Sequence, residues 1–153
     1  MFKDEIGFTA SSTSKKIRGL VSKVLKGYNI TAEQWTVLKE LTYVSSLSQK
    51  ELSAKTDKDQ ATLTKILDLL EKHDLAKRIP NPEDRRSFLV EVSEKGRSTV
   101  EAAMPAVENM YGEILQGITD EHLHFFMNVL ATIQRNISKH EASNCLTVSK
   151  KEG

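Results

Sequence analysis

The chain has little cysteine and no long apolar run, and each shortage excludes a class of protein. Its single cysteine, Cys145, rules out an internal disulfide and a thiolate metal cluster within one chain. Its apolar runs are too short for a membrane span. The first residues, MFKDEIGFTASS, carry acids where a signal peptide needs an apolar core. We therefore expect a cytoplasmic protein without a membrane partner.

Sequence signatures of enzyme chemistry are also missing. We find no glycine-rich phosphate loop, no nucleophile elbow and no carboxylate pair set in a cleft. His122 and His124 are two residues apart and so point to different sides of a helix, whereas a helical zinc site uses the i, i+4 spacing. Cys145 has no neighbouring base that would make it reactive. The sequence therefore predicts no enzyme, no metal site and no cofactor.

Charge is segregated along the 153 residues, although the formal net charge is only +1. Residues 1–30 carry six Lys and Arg against two acids, and residues 98–153 carry four against seven. The middle, residues 48–97, has eleven bases and ten acids. A positive field there requires that its cations point one way. The length fits one domain, and no linker or internal repeat divides it.

Residues 57–72, DKDQATLTKILDLLEK, are predicted to form a helix with two different faces. Apolar residues recur at the i, i+3, i+4, i+7 spacing of one helical side, namely Leu63, Ile66, Leu67 and Leu70. The opposite side combines cations with small groups: Lys58, Ala61, Thr62, Thr64, Lys65 and Lys72. The apolar side predicts core packing. The other side suits a groove lined by phosphates, and the alternative is an ordinary solvated surface.

A predicted hairpin follows that helix. LAKRI, residues 75–79, and SFLVEV, residues 87–92, are rich in strand-forming residues and are separated by PNPEDRR, which favours a turn. The hairpin carries Arg85 and Arg86. A helix followed by a hairpin with arginines is typical of the winged helix-turn-helix, in which the helix enters the major groove and the hairpin reaches a minor groove.

Helices are predicted on both sides of this region. A first helix spans residues 8–28, and two capping boxes, TAEQ from Thr31 and SQKE from Ser48, start the next two. Ser93 is expected to cap a long helix, and a last helix follows Thr119. Their apolar stripes are longer than one small domain can cover, which indicates a homodimer interface. The alternative is a monomeric helical hairpin packed on the first helix.

Residues 61–96, ATLTKILDLLEKHDLAKRIPNPEDRRSFLVEVSEKG, resemble the signature region of the MarR family of bacterial transcriptional regulators. The wing of that family has the form D-x-R, followed by a strand and a Leu-Thr-x-x-Gly helix start. The matching residues here are Asp84, Arg86, Val92, Ser93 and Gly96. Asp74 stands where the family usually has Gly, and Ser93 where it usually has Thr. The likeness extends over nearly residues 8–139.

The resemblance implies a mainly α fold with a small β-hairpin wing, which belongs to the α+β class. We expect a single domain, residues 1–153, with a winged helix-turn-helix lobe at about residues 30–96. Dimerisation helices should flank that lobe at about residues 8–28 and 97–139. Residues 141–153 are polar and unpatterned and are expected to form a flexible tail.

The function implied is a homodimeric regulator, most often a repressor, that binds a pseudo-palindromic double-stranded DNA operator. Its candidate DNA contacts are Ser48, Gln49, Lys58, Gln60, Ala61, Thr62, Thr64, Lys65, Arg85 and Arg86. Ala61 would offer a methyl group to thymine, and Ser48 and Gln49 would hold phosphate at a helix N-terminus. Arg86 would enter the minor groove, with Asp84 fixing its rotamer.

The family often binds phenolic or other amphipathic anions, so a small effector is a further expected partner. The candidate wall residues are Ile17, Trp35, Tyr43, Met104 and Tyr111, all of which are equally good core residues. The rival function is a winged-helix module that binds a protein instead of DNA. The balanced charge of residues 48–97 slightly favours that rival.

Overall fold

Six α-helices and a three-stranded sheet make up the part of the chain that the computed structural model describes, residues 2–148. The elements in order are α1 (Phe2–Leu25), α2 (Ala32–Thr42), β1 (Leu47–Ser48), α3 (Gln49–Thr56), α4 (Gln60–Lys72), β2 (Ala76–Asn81), β3 (Asp84–Val92), α5 (Glu94–Ile114) and α6 (Asp120–Val148). A 3-10 turn, Lys26–Tyr28, follows α1. The chain divides into two units, one ending at Glu113 and the other beginning at Ile114. The sequence had predicted a single domain without this division.

Both predicted capping boxes are present. The Thr31 hydroxyl accepts a hydrogen bond from the Gln34 backbone N–H at 3.1 Å, and the Gln34 side chain accepts one from the Thr31 N–H at 3.0 Å. Ser48 and Glu51 make the same reciprocal pair at 3.1 and 2.8 Å. These bonds satisfy backbone donors that a helix start leaves free, and so they fix where α2 and α3 begin.

The helix-turn-helix consists of α3, a short turn and α4. Asp57 ends α3 in the left-handed region, with φ of 52°, which Asp tolerates better than most residues. Asp59 is the N-cap of α4, so this helix begins at Gln60 and not at residue 57 or 58. Lys58 therefore lies in the turn, half-buried, and its backbone N–H donates to the Ser53 carbonyl at 3.2 Å. The prediction that Lys58 belongs to the exposed face of α4 is wrong, because the cap follows it.

The sheet has the order β1-β3-β2, and both strand pairs are antiparallel. Strand β1 was not predicted, because two residues are too few to show the period-two pattern of a strand. In it, Leu47 pairs with Val90 and Ser48 with Leu89. Through this pairing the wing is joined directly to the start of α3.

The two wing strands are longer than predicted. Strand β2 runs through Pro80 to Asn81, with an irregular register between these two residues, and β3 already begins at Asp84. The connecting turn shrinks to Pro82 and Glu83. Proline is tolerated near the end of β2 because an irregular register leaves fewer ladder hydrogen bonds to make. Arg85 and Arg86 consequently lie in β3 and not in a turn.

The core is built from one side of each helix in the first unit and from the inner face of the sheet. Its most deeply buried side chains are Leu25, Val37, Leu38, Leu41, Leu52, Leu63, Leu67, Leu70, Val90 and Val100. Burial of each such side chain stabilises the fold by roughly 1.5–3 kcal/mol before the entropy cost. Because α4 contributes three of them, its apolar side is fixed inward and its opposite side faces outward.

The start of α5 packs tightly against the segment that joins α4 to β2. Ser93 caps α5, as predicted, by accepting from the Gly96 N–H at 2.9 Å. A Cβ atom at Gly96 would lie 2.0 Å from the Leu75 carbonyl oxygen, so only glycine fits there. Asp74 adopts φ of 58°, the left-handed conformation that makes Gly common at this position. Both departures from the family pattern, Asp74 and Ser93, thus keep the expected backbone geometry.

Helix α6 continues to Val148, well beyond the end at residue 139 that the sequence predicted. Residues 141–148, part of the segment predicted to be a flexible tail, are therefore helical in the structure. The apolar spacing stops before residue 141, but the helix continues beyond it, so loss of periodicity did not mark the helix end. The Ser143 side-chain hydroxyl, for example, donates to the Lys139 carbonyl one helical turn earlier. Residues 149–153 of the predicted tail lie outside the described residues.

Candidate nucleic-acid interface

Helix α4 presents an exposed polar face that its buried leucines hold outward. Five of the predicted contact residues are exposed on it: Gln60, Ala61, Thr62, Thr64 and Lys65. The sequence reasoning did not weigh Asp68, which is exposed on the same helix. The face therefore carries charges of both signs, and Lys65 is the cation in its N-terminal half.

A carboxylate that the sequence reasoning missed sits at the start of this face. Asp59 accepts hydrogen bonds from the Thr62 backbone N–H at 2.7 Å and from the Thr62 hydroxyl at 3.0 Å. These bonds, the backbone one foremost, hold the pKa of Asp59 below its ordinary value of 3.8. Asp59 is thus ionised at neutral pH, which stabilises the N-terminus of α4 through the helix dipole.

The two predicted contact residues at the start of α3 are already engaged within the protein. Ser48 and Glu51 cap the helix, so this N-terminus has fewer free backbone donors for a phosphate than the sequence indicated. The Gln49 amide donates to the Thr64 hydroxyl at 2.8 Å, and that hydroxyl donates to the Gln60 carbonyl at 2.8 Å. Gln49 therefore ties α3 to α4, and this bond spans fifteen residues, too far for a local pattern to reveal.

The wing holds two exposed arginines. The Asp84 carboxylate accepts from the Arg86 backbone N–H at 2.9 Å, while the Asn81 side chain accepts from the Glu83 N–H at 3.0 Å. Asp84 thus orders the backbone of the turn. The sequence reasoning expected it to hold the Arg86 guanidinium instead, and it does not. Within residues 2–148, neither Arg85 nor Arg86 forms an ion pair. Both guanidinium groups can therefore pair with an external anion.

An open groove of about 440 Å³ lies between the wing and the starts of α3 and α4. Its walls are Ser48, Gln49, Lys50, Gln60, Asn81, Asp84, Arg86, Ser87 and Phe88. Five of these were predicted as contact or wing-positioning residues: Ser48, Gln49, Gln60, Asp84 and Arg86. The fold thus brings together residues nearly forty positions apart along the chain.

Arg78 connects α4 with the wing, and the sequence reasoning did not single it out. Its guanidinium lies 2.8 Å from an Asp68 carboxylate oxygen and 3.0 Å from Glu71 Oε2. It also donates to the Thr64 carbonyl at 3.1 Å, and the Arg78 backbone N–H donates to Glu71 Oε1 at 2.7 Å. The side chain is only 18% exposed. These contacts fix β2 against the helix whose outer face carries the candidate contacts.

The five candidate wall residues of an effector pocket have different surroundings. Trp35 is in the core, and Ile17 and Met104 are half-buried against it, which favours packing as their role. Tyr43 is 73% exposed and Tyr111 is 37% exposed. The structure thus separates these five residues into core, core margin and surface.

The described residues also bear on other classes of protein. No group of His, Cys, Asp or Glu among them is arranged to hold a metal ion. In the same residues, every helix is too short or too polar to cross a membrane.

The fold and this interface define a winged helix-turn-helix protein. Residues 30–88 match the MarR family. The HTH-type transcriptional regulator YdgJ of Bacillus subtilis is 30% identical over 113 residues, which are 74% of this chain and 69% of that protein. The chain belongs to the MarR family of transcriptional regulators, which confirms the resemblance noted in the sequence and the prediction that it is not an enzyme.

Solved structures of the family have the same fold. A MarR-family transcriptional regulator from Rhodococcus sp. RHA1 matches with a TM-score of 0.78 and 25% identity, covering 87% of this chain and 94% of that one. A mutant of E. coli MarR complexed with operator DNA matches with a TM-score of 0.77 and 25% identity, covering 84% and 92%. The predicted fold class is therefore confirmed, with a wing of three strands where the sequence predicted two.

Proposed function

We propose that this chain binds double-stranded operator DNA as a homodimer and thereby regulates transcription, as a repressor that responds to a small ligand. The observation that carries the proposal is the open groove between the wing and the starts of α3 and α4. Residues of α3, α4 and β3, including Arg86, line it together. The E. coli MarR mutant, which has the same fold, is complexed with operator DNA. In this proposal α4 enters the major groove and the wing contacts the adjacent minor groove.

Each candidate contact has a role that follows from its chemistry. Gln60 offers an amide to base edges, Ala61 a methyl group to thymine, and Lys65 a cation to a base or phosphate. Arg85 and Arg86 are exposed and form no ion pair in the described part of the chain. They can therefore neutralise phosphates without first breaking an ion pair within the protein. Gln49 and Thr64, joined to each other, present their remaining polar atoms together.

Exposed apolar side chains on the terminal helices support dimerisation. In α6, Phe125, Phe126 and Met127 are 56–68% exposed, and in α1, Phe2 and Phe8 are exposed to a still greater extent. Large apolar groups exposed on a helix mark it as an interaction surface, and this holds for each of the two helices taken by itself. A second copy of the chain would cover them and would place two α4 helices at a fixed separation. A ligand would control binding by preferring one such separation.

The test compares Arg86→Ala with Lys77→Ala in binding to a duplex from the upstream region of the chain's own gene. Arg86→Ala should weaken binding and lower the slope of log K against log salt by about one, because one phosphate contact is lost. Lys77 is a matched control, since it lies on the same hairpin but pairs with Glu91 at 3.3 Å. Its replacement should leave the slope unchanged.

Three results would count against the proposal. Equal salt slopes for wild type and Arg86→Ala would remove the wing from the interface. Single chains in sedimentation velocity would remove the dimer. A wild-type chain that retards no duplex at any salt concentration would favour the protein-binding module. The observation that supports this module is a pair of exposed acids, Asp59 at the N-cap of α4 and Asp68 on the helix itself.

A further inference from the structure

Thr62 is exposed at the start of α4, and the proton of its hydroxyl group is already in use. The hydroxyl oxygen lies 3.0 Å from Asp59 Oδ2, while Asp59 Oδ1 accepts from the Thr62 backbone N–H. The low pKa of Asp59 keeps its carboxyl group ionised at neutral pH. An ionised carboxylate can only accept hydrogen bonds, so Thr62 must be the donor in this pair.

This assignment determines what Thr62 can offer to a ligand. A hydroxyl group has one proton and two acceptor lone pairs. With its proton directed to Asp59, Thr62 presents only lone pairs to the outside. The hydroxyl of Thr64 is similar, because it donates to the Gln60 carbonyl and accepts from Gln49. Both threonine hydroxyls on this face of α4 are therefore acceptors toward anything that approaches.

The major-groove edges of the bases differ in this respect. Adenine and cytosine carry exocyclic amino groups, which donate, whereas guanine O6 and thymine O4 accept. A lone pair of Thr62 is attracted by an amino group and repelled by a carbonyl oxygen. The hydroxyl group of a threonine can in general contact either kind of base. Whether it donates or accepts toward the base is therefore set by its hydrogen bonds within the protein.

We propose that Thr62 reads an adenine or cytosine amino group in the operator, and that Asp59 acts as the positioning residue that sets this preference. The inference rests on the proposed DNA binding and specifies its chemistry. Asp59 lies outside the direct contact, and its part is to hold the Thr62 proton away from the base.

The decisive variant is Asp59→Asn. Asparagine is as good a helix N-cap as aspartate, so Oδ1 continues to accept from the Thr62 N–H and α4 is retained. The amide nitrogen then takes the place of Oδ2 and donates to the Thr62 hydroxyl. Residue 59 then no longer accepts the Thr62 hydroxyl proton, which becomes available to a base, and the preferred base should change from adenine or cytosine to guanine or thymine.

The assay is selection from a pool of randomised duplexes, followed by affinity measurements on duplexes changed at one position at a time. At one position of each half-site, wild type should prefer adenine or cytosine by roughly threefold to tenfold, the effect of a single net hydrogen bond. Thr62→Val, which keeps the shape but lacks the hydroxyl, should lose this preference. Thr62→Ser should keep it, and Asp59→Asn should reverse it.

Several outcomes would overturn the inference while leaving DNA binding intact. These are a wild-type preference for guanine or thymine at the Thr62-dependent position, an unchanged preference in Asp59→Asn, or no position that responds to Thr62→Val. If neither wild type nor any variant selects a duplex, the proposed function fails and the inference fails with it. The two failures are distinguished by whether the wild-type chain binds selected DNA.

Discussion

Replacing Arg78 with methionine should lower the free energy of unfolding by about 2 kcal/mol. A hydrogen bond to a charged group contributes roughly 1.5–3 kcal/mol, and an exposed ion pair contributes about 0–1. The Glu71 contact, 3.0 Å long with the Glu71 side chain 36% exposed, belongs nearer the first class. The Asp68 contact belongs to the second, because that side chain is 61% exposed. Methionine keeps the apolar stem of arginine, so packing changes little.

The measurement is urea unfolding followed by circular dichroism at one fixed protein concentration, because self-association changes the apparent stability. The matched control is Lys77→Met on the same strand, whose cation pairs with Glu91 at 3.3 Å and is 63% exposed. It should cost less than about 0.5 kcal/mol. Arg78→Lys should fall between the two, since an ammonium group cannot reach Asp68, Glu71 and the Thr64 carbonyl at once.

Equal losses in Arg78→Met and Lys77→Met would refute the reasoning, because Arg78 would then be an ordinary surface cation. An unchanged urea slope is also required, since a change in slope would mean that the unfolded or folded state itself had changed in compactness. With the slope constant, the shift of the midpoint reports the lost contacts between α4 and β2 directly.

Two other predictions concern the ends of helices. Gly96→Ala should destabilise the fold by about 3 kcal/mol, because the new Cβ would lie 2.0 Å from the Leu75 carbonyl oxygen. Gly112→Ala in the same helix should stabilise it by about 0.5–1 kcal/mol, because a Cβ there would have nothing within 4 Å. Equal urea midpoints for the two variants would contradict both expectations. The depressed pKa of Asp59 contributes stability that is present above its ordinary value of 3.8 and lost as the pH falls through its lower folded-state pKa. The stability of wild type should therefore fall more steeply below pH 3.8 than that of Asp59→Asn, and parallel pH curves would show that Asp59 has no such effect.

Local sequence patterns predicted most of the helices correctly. The apolar spacing around Leu63 identified the buried side of α4, and the boxes at Thr31 and Ser48 marked two helix starts to the residue. These features depend on contacts between residues three or four positions apart, which a linear sequence displays. Strand-forming residues and the intervening turn predicted the hairpin of the wing, and the family resemblance added its D-x-R motif, which covers Asp84 and Arg86.

Polar details of the candidate interface were less predictable. Asp84 was expected to hold the Arg86 guanidinium and instead bonds its backbone. Lys58 was assigned to the exposed face of α4 and lies in the preceding turn. In both cases the residue types were suitable, but they did not specify which donor Asp84 would accept from or at which residue α4 would begin. Hydrogen bonds have strict geometry, whereas sequence patterns specify positions only to about one residue.

The sequence by itself determined which faces of the helices are apolar, where α2, α3, α5 and α6 begin, and that a winged helix-turn-helix should result. Only the tertiary structure decided that β1 joins the sheet, that Arg78 holds α4 to β2, and that Gln49 and Thr64 are bonded to each other. The physical reason is the distance along the chain. Periodicity and capping are local, while these contacts join segments that are separate in the sequence and are held near one another by the common core, which includes Leu63 and Val90.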